Sequence, residues 1–164
     1  TDKPQPITPN WYAETKWRGD QAVLSQSENL VLRVQWLYGK KRERFSLLRS
    51  KESFTPFVDQ FGAPTWTFDI AQTLVQMMEK EASGLFHFAY DDFTNWFDVY
   101  DLVKKEWNLK TELIPQKSAD VKLAARRPLN GRLSNQKIKD FLGVTSMGSW
   151  KDSLRTFLNR VIDG

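Results

Sequence analysis

An α/β fold with parallel strands is what this sequence predicts, on three observations. Leu30-Val31-Leu32-Arg33-Val34-Gln35-Trp36 and Leu85-Phe86-His87-Phe88-Ala89 are short runs, mostly apolar on both faces, as strands buried in a parallel sheet are. Around them, apolar residues recur at helical spacing in segments ended by Gly, Asn or Ser. A chain of 164 residues, 40% hydrophobic and 13% aromatic, can bury a real core, so one globular unit is expected.

Composition narrows the chemistry. With no cysteine there is no disulfide, thiol nucleophile or cysteine-ligated zinc, and a single histidine rules out a His-pair metal motif. The formal charge of +4 favours an anionic ligand without choosing among nucleotide, nucleic acid and lipid. No apolar run approaches membrane-spanning length, so a soluble, cytoplasmic protein with no membrane partner is expected.

In chain order, Pro4, Pro6 and Pro9 make an extended lead-in, and Asn10 caps a first helix running to about Ser25. After the Leu30–Trp36 strand, Gly39 to Arg44 is a dense basic run, read as a phosphate contact or a solvated loop. Phe45 to Lys51 suggests a short helix and Phe57-Val58 a brief strand, followed by the turn Asp59 to Thr65, with Gly62 and Pro64 at its special torsions. The next helix has Asp69 in its first turn and an apolar stripe of Phe68, Ala71, Leu74, Val75 and Met78.

His87, in mid-strand between two phenylalanines, reads as structural. Thr94 or Asn95 caps a helix whose Trp96, Val99, Tyr100, Val103 and Trp107 recur at core spacing, leaving Lys104 toward water. Thr111 to Ile114 reads as a short strand. Arg126 and Arg127 then precede Pro128 in an extended stretch, as a fork for pyrophosphate or as surface ion-pair partners. A helix from Ser134 to Gly143 follows. Ser149 caps the last one, with Trp150, Leu154, Phe157, Leu158 and Val161 on one face.

Chemistry enters at Trp11-Tyr12-Ala13-Glu14-Thr15-Lys16, where a phenol and an ammonium sit four residues apart on one helical face. An adjacent ammonium favours the phenolate, which suits proton transfer to or from a carbonyl or alcohol oxygen. Tyr100 and Lys104 repeat the spacing, but their helix assigns Tyr100 to packing.

The run "WYAETKWRGDQAV" followed by "NLVLRVQWLYG" resembles the active-site helix and next strand of extended short-chain dehydrogenase/reductases acting on nucleotide sugars. Together with "VDQFGAPTWTFDIA", "GLFHFA", "NWFDVYDLV", "ARRPLNGRLSNQKIKDFLG" and "WKDSLRTFL", the chain resembles the dTDP-4-dehydrorhamnose reductase family along nearly its whole length.

That resemblance implies the C-terminal part of a Rossmann-like enzyme, starting just before its catalytic tyrosine, because no G-x-x-G-x-x-G or G-x-G-x-x-G is present. It implies NADPH, or NADH, bound mainly by the missing N-terminal half, with Tyr12 as proton donor and Lys16 binding the nicotinamide ribose. Trp36 would pack on the sugar, and Arg126 and Arg127 would meet the substrate diphosphate. Gln35 stands where a serine is commoner in that family.

Segments 1–52 and 84–107 would belong to the sheet layer, and 53–83 with 108–164 mainly to the substrate lobe. Alone, the chain is expected to be inactive, and to form a homo-oligomer or pair with the missing half. Epimerases and dehydratases of the superfamily share the Tyr and Lys, and regulatory subunits of methionine adenosyltransferase keep the pattern too, so these readings stay open. Nucleic acid is not expected as a partner, since no aromatic-basic interleaving accompanies the basic run.

Overall fold

A computed structural model describes residues 10–41, 45–122 and 127–162, with side chains as far as 160. The first helix, α1 (Trp11–Val23), starts where expected: the Asn10 side chain accepts a hydrogen bond from the Ala13 N–H at 2.9 Å. Its inner face, Ala13, Trp17, Asp20 and Leu24, is only half-buried, and no residue of the helix is fully buried.

Strand β1 (Leu30–Arg33) pairs in parallel with β6 (Gly84–His87), with Leu30 opposite Gly84 and Arg33 opposite His87. The ladder is shorter than the apolar runs suggest, because Trp36 turns the backbone into the left-handed region at φ 44°. All four residues of β1 are half-exposed rather than buried. The reason is local: among the described residues only β6 pairs with it.

Three smaller ladders brace the rest. Strand β2 (Leu37–Tyr38) lies parallel to β5 (Thr65–Trp66), and β3 (Ser53–Phe54) parallel to β8 (Glu112–Leu113). The antiparallel pair is β4 (Phe61–Gly62) with β7 (Thr94–Asn95). The Asp59–Thr65 turn therefore carries a strand, and Phe57-Val58 reduces to a single bridge from Phe57 to Gln116. Phe45–Ser50 is a 3₁₀ helix, seating Phe45 and Leu48 in the core.

The core lies between α3 (Trp96–Glu106), α4 (Gln136–Leu142), α5 (Trp150–Ile162) and the inner face of β6. Val99, Val103, Leu154 and Leu158 are fully buried there, and Phe157 packs edge-on against Tyr38 and Trp66. Tyr100 is buried against Phe54 as predicted, whereas Lys104 is half-buried rather than free in solvent. Asn95, not Thr94, caps α3 by accepting from the Asp98 N–H. Gly143 ends α4 at φ 73°. Val161, expected on the apolar face of α5, lies outside the residues whose side chains are described.

Helix α2 (Thr67–Glu79) corrects the sequence reading. Its buried face is Thr73 and Met77, while Phe68, Val75 and Met78 of the expected stripe are exposed. Thr73 can face inward because its hydroxyl donates to the Asp69 carbonyl at 2.8 Å, removing the cost of burying it.

A second polar group lies deep between α2, β2, β6 and α5. The Tyr90 hydroxyl lies 2.6 Å from Asp69 Oδ2 and 2.7 Å from Ser153 Oγ, and Tyr38 joins through Ser153. Burial first, then the neighbouring Tyr38 and Asp69, push the Tyr90 phenol far above its ordinary range. Burial does the same for Tyr38, so both phenols stay protonated as donors. The cluster ties four elements together.

Candidate functional site at the edge of the parallel strands

Helix α1 and strand β1 are joined by a tight reversal in which the Asn29 side chain donates to the Val23 carbonyl at 2.9 Å. Further along, Arg33 Nε meets Asp20 Oδ2 at 2.7 Å, fixing the helix against the strand. Tyr12 lies roughly 12 Å up the helix axis from Asp20, beyond the level of Arg33, and Trp36 follows the C-terminal end of β1 by three residues. In open α/β sheets ligands bind at that end of the strands.

Tyr12 is 71% exposed, and Lys16 Nζ lies 5.9 Å from the centre of its ring. A phenol that can donate and accept, beside an ammonium that only donates, matches the donor set a nicotinamide ribose and a carbonyl oxygen require. Both are open to solvent on one helical face.

Trp36 stacks on Trp96, ring centres 4.2 Å apart and planes 21° from parallel. Gly62 lies against its indole: a Cβ there would come within 3.0 Å of two ring atoms and 2.7 Å of Gln35 Oε1. That oxygen is buried and has no hydrogen-bond partner among the described residues. Trp36 is thus held by a stack, a close backbone and an unusual torsion. Bulky residues adopt a positive φ rarely, and such torsions cluster where ligands are clamped.

Next to it opens a cleft of about 100 Å³, lined by Gln35, Ala89 to Phe93 and Arg132 to Asn135. Its two aspartates are occupied. Asp91 accepts from Asn135, Lys139, Ser146 and the Met147 N–H, and Asp92 from Ser149 and the Trp150 N–H. Burial raises the Asp91 pKa, but those hydrogen bonds outweigh it and hold the carboxyl down to about 2. Asp92 shares the capping of α5 with Ser149, which accepts from the Lys151 N–H.

His87 sits half-buried nearby. Burial first, then the charge of Arg33, lower its pKa, so it remains a neutral packing residue.

Of the residues singled out by sequence, the structure brings Tyr12 to Lys16 and Trp36 to Trp96. Arg127 is exposed in the segment leading to Arg132, and Arg126 lies outside the described residues, as do Arg42, Glu43 and Arg44 of the basic run. Sequence reasoning missed Arg132, Phe93 and the Asp91–Asp92 pair. The last carried a signal, two adjacent carboxylates directly after an apolar strand.

A parallel strand pair with a tyrosine–lysine helix on one side and a cleft beside the end of the first strand defines the architecture as α/β. The chain belongs to the RmlD substrate binding domain family, whose profile matches residues 1–162. A dTDP-4-dehydrorhamnose reductase of Escherichia coli (strain K12) is 27% identical over 180 residues, covering 98% of this chain and 58% of its own. A dTDP-4-keto-6-deoxy-D-glucose reductase of Streptomyces niveus is 36% identical over 97 residues, 55% of this chain and 34% of its own.

The crystal structure of dTDP-4-dehydrorhamnose reductase from Bacillus anthracis str. Ames in complex with NADP matches the fold. Its TM-score is 0.88 at 22% identity, over 96% of this chain and 58% of that one. The chain therefore spans 58% of the length of the Escherichia coli relative and of the Bacillus anthracis structure.

Proposed function

We propose that this chain supplies the substrate-binding lobe and the proton donor for NADPH- or NADH-dependent reduction of a nucleotide-linked 4-keto sugar, of the dTDP-4-dehydrorhamnose type. Supporting the reading are the Tyr12–Lys16 pair, open on one face of α1, and the clamped Trp36 whose neighbour Gln35 lines the cleft.

Reducing a ketone consumes a hydride and a proton. The dinucleotide, when bound, supplies the hydride. Tyr12 Oη delivers the proton to the C4 oxygen, with the Lys16 ammonium beside it. Lys16 also hydrogen-bonds the ribose, and the indole of Trp36 carries the apolar face of the sugar. In this reading segments 1–52 and 84–107 form the sheet layer, and 53–83 with 108–164 the substrate lobe. The phosphates of the dinucleotide need a Gly-rich turn at a helix N-terminus, which this sequence lacks, so the chain by itself is inactive and works paired with a dinucleotide-binding segment.

The test joins this chain to such a segment and compares two tyrosines. Tyr12→Phe should lower turnover about 10²- to 10⁴-fold with cofactor affinity nearly intact. Tyr100→Phe, at the same Tyr-x-x-x-Lys spacing but in the core, should turn over near the parent rate. Full activity in Tyr12→Phe would remove the assignment.

A further inference from the structure

We propose that Arg132, held by Asn130 and Phe93, is an anion subsite that takes the diphosphate of the nucleotide sugar at the mouth of the cleft. This rests on the nucleotide-sugar reading above. Three observations carry it.

The first is preorganisation. Strand β4 receives the segment 129–131 through two backbone hydrogen bonds, Phe61 N–H to the Leu129 carbonyl at 2.7 Å and Gly131 N–H to the Phe61 carbonyl at 2.8 Å. Asn130 Oδ1 then accepts from the backbone N–H of Arg132 at 3.2 Å and from its Nε at 2.8 Å. The guanidinium carbon lies 4.5 Å from the centre of the Phe93 ring. A long side chain is therefore already ordered at both stem and head, so a ligand meets little entropic cost in using it.

The second is an unspent charge. Arg132 takes part in no ion pair among the described residues. With Nε engaged by Asn130, its two terminal amino groups present the planar fork that pairs bidentately with phosphate. The third is the fate of the nearest acids. Asp91 and Asp92 line the same cleft, but hydrogen bonds to the 146–150 segment and to Asn135 and Lys139 occupy both carboxylates. They are held in place as anchors of the cleft wall and not as partners for the arginine.

A phosphate oxygen is recognised here, and a nucleoside diphosphate delivers two such groups along one edge. The exposed Phe93 ring, 53% accessible beside the guanidinium, adds an aromatic surface on which the nucleoside end can rest.

The experiment follows the Arg132 side-chain Nε–H resonance and the backbone amide resonances by NMR in the full chain, titrating inorganic pyrophosphate, dTDP and thymidine in turn, the amides giving affinities in variants that lack the arginine. Parent protein, Arg132→Gln, Arg132→Lys and Arg127→Gln are compared, with circular dichroism of each as a check on folding. Pyrophosphate and dTDP should shift the resonance and thymidine should not. Arg132→Gln should weaken dTDP about ten- to a hundredfold, the range for losing charge-assisted hydrogen bonds, with Arg132→Lys intermediate.

If Arg132→Gln binds dTDP like the parent while Arg127→Gln loses it, the subsite is overturned and the nucleotide-sugar reading survives. If Arg132 responds to pyrophosphate but dTDP binds no more tightly, the anion subsite stands and the nucleotide reading falls. No response of Arg132 to any of the three ligands overturns the proposal.

Discussion

Gly62→Ala probes the clamp around Trp36 with a single methyl group. Gly62 has no left-handed torsion, so alanine brings no backbone strain and only the contact is tested. The new Cβ would lie 2.7 Å from Gln35 Oε1 and 3.0 Å from two atoms of the indole. Gln35 can yield by a rotation about its side-chain bonds. The indole has less freedom, stacked at 4.2 Å on Trp96 with its own backbone at φ 44°.

Overpacking of this kind costs about 1–3 kcal/mol, and at about 2–4 °C per kcal/mol for a chain of this size the midpoint case lowers the melting temperature by about 4–8 °C. The assay pairs thermal melting with near-ultraviolet circular dichroism, which reports the Trp36–Trp96 stack. Adding Gln35→Ala should restore part of the loss and leave the part due to the indole. A Gly62→Ala chain that melts with its parent and keeps the tryptophan signal would refute the argument that this glycine sets the position of Trp36.

Two further outcomes are expected. Tyr90→Phe removes a hydroxyl 2.6 Å from Asp69 and leaves the Trp66 N–H without its acceptor, so urea unfolding should report a loss of about 1.5–3 kcal/mol; a change under about 0.5 kcal/mol would mean that Ser153 replaces it fully. Asp91, held near 2 in the folded chain against an ordinary 3.8, contributes stability that is complete above 3.8 and lost as pH falls toward 2. Stability measured against pH should show that acid limb in the parent and a weaker one in Asp91→Asn, and identical limbs would show that the carboxylate anchors nothing.

The elements were legible where local chemistry decides them. Asn10, Asn95 and Gly143 mark helix ends because each satisfies an orphan backbone group, and that requirement is written in the residue itself. Periodicity failed on α2 because it counts Phe68 and Val75 as core and Thr73 as surface, while the hydroxyl of Thr73 is satisfied within its own helix. It also overextended the first strand: Trp36 leaves the extended region and packs on Trp96 and Gly62, residues that are distant in sequence.

The site divides the same way. Tyr12 and Lys16 are four apart and therefore readable. The tie from Asn130 to Arg132 is equally local, yet its meaning depends on Phe93 and the cleft, which only folding assembles.

Helix α1 has a consequence for timing. A helix of 13 residues is marginal in water by itself, and this one buries no residue fully. What retains it is the Asn10 cap, the Asp20–Arg33 pair and the tight turn into β1. Its opening free energy therefore lies at the low end for the molecule, well below that of α3 or α5 with their buried faces. Tyr12 and Lys16 ride on the described helix that buries no residue fully, whereas Trp36 stacks on Trp96 at the start of α3, which has a buried face. A surface that settles over Trp11 and Tyr12 would bear the ordering cost of the whole helix at once, so Tyr12 would become fixed at the moment of association.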